Sequence, residues 1–258
     1  MLIFTFILGT LIGSFINCVV YRIEEDKSFI KGRSYCPNCK ETIKTIDLIP
    51  IISFLFLKGK CRNCGSKISL QYPLVEFVVG ILFATMFLVS DTSTLGFIEV
   101  IYYYLIFSLL TVIFIYDLKH YIIPDKMVFS AIGLSSLWQL LLLVLGLTSW
   151  FNVGVFLLSG LLAGGFFLII FSISKGKWMG FGDVKLAFFM GLFLGMPKIL
   201  VALFSSFAMG AIISVIMMGL KKKEIKSEIP FGPFLVSGTL VAFLWGGEIL
   251  SWYLSLLR

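Results

Sequence analysis

Two sets of side chains in this sequence have the types and spacing to do chemistry. The first is four cysteines in two pairs, Cys36-Pro-Asn-Cys39 and Cys61-Arg-Asn-Cys64, with 21 residues between the pairs. Paired Cys-x-x-Cys turns present four thiolates in a tetrahedron, the geometry of closed structural zinc sites. A redox dithiol would need only one pair, and two disulfides would need an oxidising compartment. The spacing therefore predicts Zn2+ held by Cys36, Cys39, Cys61 and Cys64. The second set is carboxylates set in or at the ends of apolar runs: Glu76, Glu99, Asp117, Asp125, Asp183 and Glu248.

Two aspartates brought together from different segments can share one proton, since like charges a few ångströms apart do not both ionise easily. One is then the base that activates water, and the other, protonated, polarises a scissile carbonyl. Gly180 and Gly182, beside Asp183, leave room for a substrate backbone to approach without a Cβ in the way. Two quieter roles stand beside this one. Asp125 and Asp183 are placed to cap helix starts, and membrane carboxylates can relay protons. Residue chemistry alone leaves the three open.

The elements that must position these groups follow from composition. Of 258 residues, 59% are hydrophobic and 14% charged, with mean hydropathy +1.03. That excludes a soluble enzyme, which carries about 25% charged residues. A membrane-crossing helix needs roughly 20 apolar residues, and eight runs qualify: 2–20, 72–89, 97–116, 127–146, 153–174, 184–195, 199–219 and 231–257. The sixth is short, so seven spans with one broken helix is the variant of this topology. Outer-membrane strands would alternate apolar and polar residues, and these runs are apolar all round. The predicted fold is all-α and integral to the membrane, with about eight helices.

Of the 21 basic residues, ten lie in 22–67, two in 119–126, three in 175–185 and four in 221–226, while the connections 90–96 and 147–152 carry none. Basic breaks alternate with neutral ones, which places the N-terminus outside and the basic loops in the cytoplasm. The net charge of +7 thus marks topology and gives no reason to expect nucleic acid as a partner. The first run lacks a basic leading segment and a small-residue cleavage site, so it reads as a membrane helix and not a signal peptide. A cytoplasmic loop keeps thiols reduced, which favours zinc over disulfides. Residues 21–71 form that loop, too poor in apolar residues to fold without the metal.

The order Gly13-Ser14-Phe15-Ile16-Asn17 with Tyr21-Arg22, two Cys-x-x-Cys pairs, Gln71-Tyr72-Pro73-Leu74-Val75-Glu76, Asp117 with Ile123-Pro124-Asp125, and Gly180-Phe181-Gly182-Asp183-Val184-Lys185 resembles the bacterial prepilin peptidases, or type IV leader peptidases. The resemblance runs from Gly13 to about Pro233. It implies a membrane aspartyl protease of the GxGD type that removes a basic leader from prepilins or pseudopilins at the cytoplasmic face of the bacterial inner membrane. It implies further that the new N-terminal residue is methylated with S-adenosylmethionine, and that the substrates serve type IV pili, type II secretion or competence. By motif matching Asp117 and Asp183 are the catalytic pair. Asp125, Gly180, Gly182, Lys185 and Glu76 are substrate-binding or site-supporting residues, and the four loop cysteines bind the metal. The implied division is a first helix at 1–20, a zinc loop linked to methylation at 21–71 and a protease domain at 72–258.

A proton-coupled transporter using the same aspartates is the alternative from another class, and it would call for mid-span carboxylates and internal repeats. A leader peptidase without methyltransferase activity is the nearer one. The remaining features have plain readings. His120 is expected in an exposed loop and Cys18 as a small buried hydrophobe. Glu76 is explained as well by the dipole of a helix start as by substrate or cofactor binding. Glu24, Glu25 and Asp26 read as a solvated turn, and 221–223 as an anchor near anionic lipid. Gly160, Gly164, Gly165, Gly191 and Gly195 have spacing suited to close helix packing.

Overall fold

The computed structural model describes residues 1–25, 27–28, 32–90, 93–219 and 229–256. Asp26 and the basic run 221–223 lie outside them. In lipid the backbone has no hydrogen-bond partner but itself, and each apolar run closes as a helix. These are α1 (Leu2–Glu24), α3 (Gln71–Val89), α4 (Thr94–His120), α5 (Asp125–Val144), α6 (Trp150–Ser174), α7 (Phe181–Leu194), α8 (Lys198–Gly219) and α9 (Gly232–Leu256), with a short α2 (Ile52–Phe56) inside the loop. Seven are long and apolar enough to cross a membrane, which makes this a multi-pass membrane protein. The sixth run is a helix of its own: α7 has 14 residues, about 21 Å at 1.5 Å per residue. It is parted from α8 at Gly195-Met196-Pro197, where Gly195 takes φ +67°.

The chain divides into two compact units, Met1–Val112 and Ile113–Arg258. In the first, α1 packs on α3 through glycines. A Cβ on Gly9 would come within 2.6 Å of the Val79 carbonyl oxygen, and one on Gly13 within 2.7 Å of the Glu76 Cα, so only glycine permits this crossing. Asn17, 3% exposed, donates from Nδ2 to the Tyr72 carbonyl at 3.2 Å. Arg22, also buried, donates to the Ser28 and Gly32 carbonyls, each at 2.9 Å, tying the start of the loop to the end of α1.

The loop is built from two like turns. Cys36 and Cys61 each donate an N–H to the carbonyl five residues on, Glu41 and Ser66, and each accepts one from the residue four on, Lys40 and Gly65. Those two residues share a left-handed φ, 59° and 68°. Asp47, in the segment between the turns, holds the second turn through a two-pronged pair with Arg62, at 2.9 and 2.6 Å; the guanidinium holds the Asp47 carboxyl below its ordinary range. Between the turns, Ile51 has φ 61° and ψ −52°, and the Ile52 N–H reaches the Pro50 carbonyl. This is a γ-turn of the rarer hand, centred on a β-branched residue, and such backbone stores on the order of 1–3 kcal/mol.

In the second unit α7 is the core. Ten of its residues are buried, from Asp183 to Leu194, and it contacts α5, α6, α8 and α9. Its crossing with α6 uses the glycines the sequence marked. A Cβ on Gly160 would sit 2.9 Å from the Phe188 carbonyl oxygen, and one on Gly191 would run into the Ser159 backbone. Gly195 abuts Phe156 in the same way, whereas Gly165 faces open space.

Candidate functional site

Asp117, Asp125 and Asp183 all belong to the second unit, on α4, α5 and α7. Asp117 lies in the last turn of α4. Helix α4 ends at His120, and the next residue, Tyr121, with φ 58°, turns the chain back toward Ile123 and the start of α5. Asp117 is 4% exposed and Asp183 6%. The Gly232 N–H, at the first turn of α9, donates to Asp117 Oδ2 at 3.0 Å. The Gly180 N–H donates to Asp183 Oδ2 at 3.1 Å, and the Asp183 N–H returns a bond to the Gly180 carbonyl at 3.2 Å. Capping of α7 by Asp183 is therefore real, and it leaves the second carboxylate oxygen uncommitted to that bond.

The side chain of Ile123 links the two turns. A Cβ on Gly182 would lie 2.8 Å from Ile123 Cβ, and one on Gly232 would lie 3.2 Å from Ile123 Cδ1 and 2.6 Å from Asp117 Oδ2. The turns that carry the two aspartates thus pack on one side chain, Ile123. The room expected at Gly182 for a substrate backbone is occupied by Ile123. At Gly180 it is open, since the nearest atom a Cβ would meet is Asp183 Oδ2 at 3.8 Å. Gly232 and Ile123 are contacts that sequence reasoning missed. The available signal was a glycine between two prolines, Pro230-Phe231-Gly232-Pro233, at the mouth of the last apolar run.

Asp125 does not cap its helix. Its carboxylate pairs with Lys185 Nζ across α5 and α7, and that ammonium sits 5.3 Å from the Phe181 ring and 5.6 Å from the Phe129 ring. An ion pair shielded by two aromatic faces keeps more of its attraction than one in open water. His120 is not in an exposed loop. It is the last residue of α4, half-buried, with its ring 4.4 Å from Tyr116.

The cysteines and Glu76 belong to the first unit. The Sγ atoms of Cys36, Cys39, Cys61 and Cys64 all lie within 4.8 Å of one another, and none is in a disulfide. A tetrahedral ion with 2.3 Å metal–sulfur bonds needs ligand sulfurs about 3.8 Å apart, and Cys36 and Cys64 stand 4.0 Å apart. The Ser66 hydroxyl stands 3.1 Å from Cys64 Sγ and favours its thiolate form. The donor set fits a metal ion. Cys18 is half-buried in α1.

Glu76 is 7% exposed and lies in the second turn of α3, past the reach of a helix-start dipole. Its Oε2 accepts the Ile51 N–H at 2.7 Å, which is what holds the strained turn. Glu25 is no solvated turn residue either. It accepts from Tyr21 Oη at 2.6 Å, Tyr35 Oη at 2.5 Å and Lys27 Nζ at 2.5 Å. Lys27 first, then the two tyrosines, hold its carboxyl down to about 2.

Comparison with known proteins bears on both units. Residues 7–90 match the bacterial peptidase A24 N-terminal domain, and residues 104–215 match the type IV leader peptidase family. Similar curated proteins include the prepilin leader peptidase/N-methyltransferase of Bacillus subtilis (strain 168), 33% identical over 256 residues and covering 99% of each chain. The chain belongs to the type IV leader peptidase family. It is thus an enzyme of a peptidase family. The enzymes of the same name from Aeromonas salmonicida (strain A449) and Pseudomonas aeruginosa are 32% and 30% identical, each over 97% of this chain and 92% of theirs. No solved structure matches the chain.

Proposed function

We propose that this protein removes the leader from prepilin-class substrates with Asp117 and Asp183 and then methylates the exposed N-terminal residue. The observation that carries the cleavage reading is the arrangement of two buried carboxylates from different helices. Each is held through one oxygen by a glycine N–H, with Ile123 packed against both turns. Two such carboxylates brought close together favour a singly protonated pair. The ionised member takes a proton from water as that water attacks the scissile carbonyl. The protonated member donates to the carbonyl oxygen, and the proton then passes to the leaving amine. The fixed glycine bonds hold each carboxylate in place, so little reorganisation is needed at the moment of reaction. Asp125 and Lys185 support the pair by joining the start of α5 to the N-terminal end of α7.

The positive-inside distribution of lysine and arginine supports an inner-membrane protein with its N-terminus outside and its aspartates at the cytoplasmic face, where a basic leader and bulk water meet. The loop 21–71, with Zn2+ on its four cysteines, belongs to the methylation half, and the aspartates on α4, α5 and α7 to cleavage. S-adenosylmethionine supplies the methyl group when bound. Mass spectrometry of a co-expressed prepilin tests the whole reading. Wild type is expected to remove the leader and add about 14 Da, one CH2, while Asp117→Asn and Asp183→Asn leave full-length substrate. Cleavage by either variant would remove that residue from the mechanism.

A further inference from the structure

Glu76 and its surroundings in the first unit hold more than a loop anchor requires. Its carboxylate accepts the Ile51 N–H through Oε2. A neutral amide could accept that bond at a far smaller desolvation cost. Among the described residues no lysine or arginine forms an ion pair with it. One helical turn away, at Tyr72, lies a second incomplete group. Asn17 Oδ1 is buried and has no hydrogen-bond partner among the described residues. Its orientation is fixed, because the Tyr72 carbonyl accepts only and so must face Nδ2. A buried carboxyl with no basic partner and a buried acceptor with no donor, among the described residues, share the α1–α3 seam.

We propose that this seam is a binding site for a primary ammonium group, with Glu76 and Asn17 as acceptors and the Ile51 turn as its cover. The proposal rests on the methyltransferase reading, in which two ligands carry such a group: the amino-acid end of S-adenosylmethionine and the new N-terminus of the cleaved substrate. In the closed state seen here the Ile51 N–H occupies the place of the ligand's N–H donor. Release of that turn relaxes its left-handed, β-branched backbone, which offsets part of the lost hydrogen bond. The strain thus favours exchange of Ile51 for the ligand.

Glu76→Gln separates this role from anchoring, because the glutamine carbonyl still accepts from Ile51 while the ionisable carboxyl is gone. Calorimetric titration of the purified full chain with S-adenosylmethionine, and separately with a peptide bearing the free mature N-terminus, is expected to show at least tenfold weaker binding of one of them to Glu76→Gln. Metal content and an unchanged thermal unfolding midpoint report that the variant is folded. Loss with S-adenosylmethionine identifies the donor as the ligand, and loss with the peptide identifies the acceptor amine. Binding of both at wild-type strength overturns the proposal and leaves the cleavage reading intact. A wild type that cleaves but neither binds S-adenosylmethionine nor adds 14 Da removes the methyltransferase reading and this site with it. Ile51→Gly, which keeps the N–H and removes the strain, is expected to bind the same ligand several-fold more weakly; equal or tighter binding would overturn the covering role of the turn.

Discussion

Gly232 decides how freely Asp117 can move. Its N–H fixes one carboxylate oxygen, and the place where its Cβ would stand is 2.6 Å from that same oxygen. Gly232→Ala therefore pushes the carboxylate off its position, and a displacement approaching 1 Å at a reacting group costs about 10²-fold in rate. Leader cleavage is expected to fall by roughly that factor in a prepilin gel-shift assay, with Gly133→Ala, which meets nothing within 4 Å, as the silent control. Glu25 gives a second residue-scale prediction. Its carboxyl is held down to about 2 in the folded loop by Lys27, Tyr21 and Tyr35, with Lys40 a further 3.9 Å neighbour. A depressed carboxyl stabilises the fold above its ordinary value and loses that contribution as pH falls toward its folded one. Thermal unfolding should separate wild type from Glu25→Gln at pH 7, and the gap should close between about pH 4.5 and pH 2. These roles were the least legible in the sequence. Nothing in Pro230-Phe231-Gly232-Pro233 announces a partner 115 positions away, and Glu25 looks solvated until Tyr35 folds back onto it.

At the scale of elements, α5 and α7 are joined by the Asp125–Lys185 pair under the Phe129 and Phe181 rings. Lys185 is 16% exposed and Asp125 61%, so the pair is half-shielded and worth about 1 kcal/mol. Asp125→Asn and Lys185→Gln should each slow cleavage several-fold. Their effects should be less than additive in a double-mutant cycle, since both break one contact; strict additivity would mean that the two act separately. The zinc loop is the other element whose integrity can be read directly. Serine at all four cysteines should release a metal that purified wild type carries at one ion per chain, measured by plasma emission spectroscopy. Metal-free wild type would exclude the knuckle. Apolar run length and cysteine spacing made the helices and the metal turns legible in advance. The γ-turn at Ile51 was not, because it answers to Glu76, 25 residues on, and not to a local turn signal; a β-branched residue argues against such a turn in any local reading.

At the scale of the whole molecule, the two units meet different requirements. The first folds a small polar loop onto paired apolar helices, using glycine contacts, Arg22 and the metal turns. The second gathers acidic side chains from α4, α5 and α7 and wraps its shortest helix on several sides. That helix, α7, gives the enzyme an indifference to its solvent. A hydrophobic stretch that touches lipid answers to bilayer thickness by tilting or by thinning its surroundings. Helix α7, about 21 Å long against a hydrocarbon core of about 30 Å, is enclosed by protein along most of its length and matches no bilayer at all. The span-length helices around it meet the lipid, so the height of Asp183 is set by the packing of polypeptide on polypeptide, and leader cleavage is expected to hold constant in vesicles of shorter or longer acyl chains.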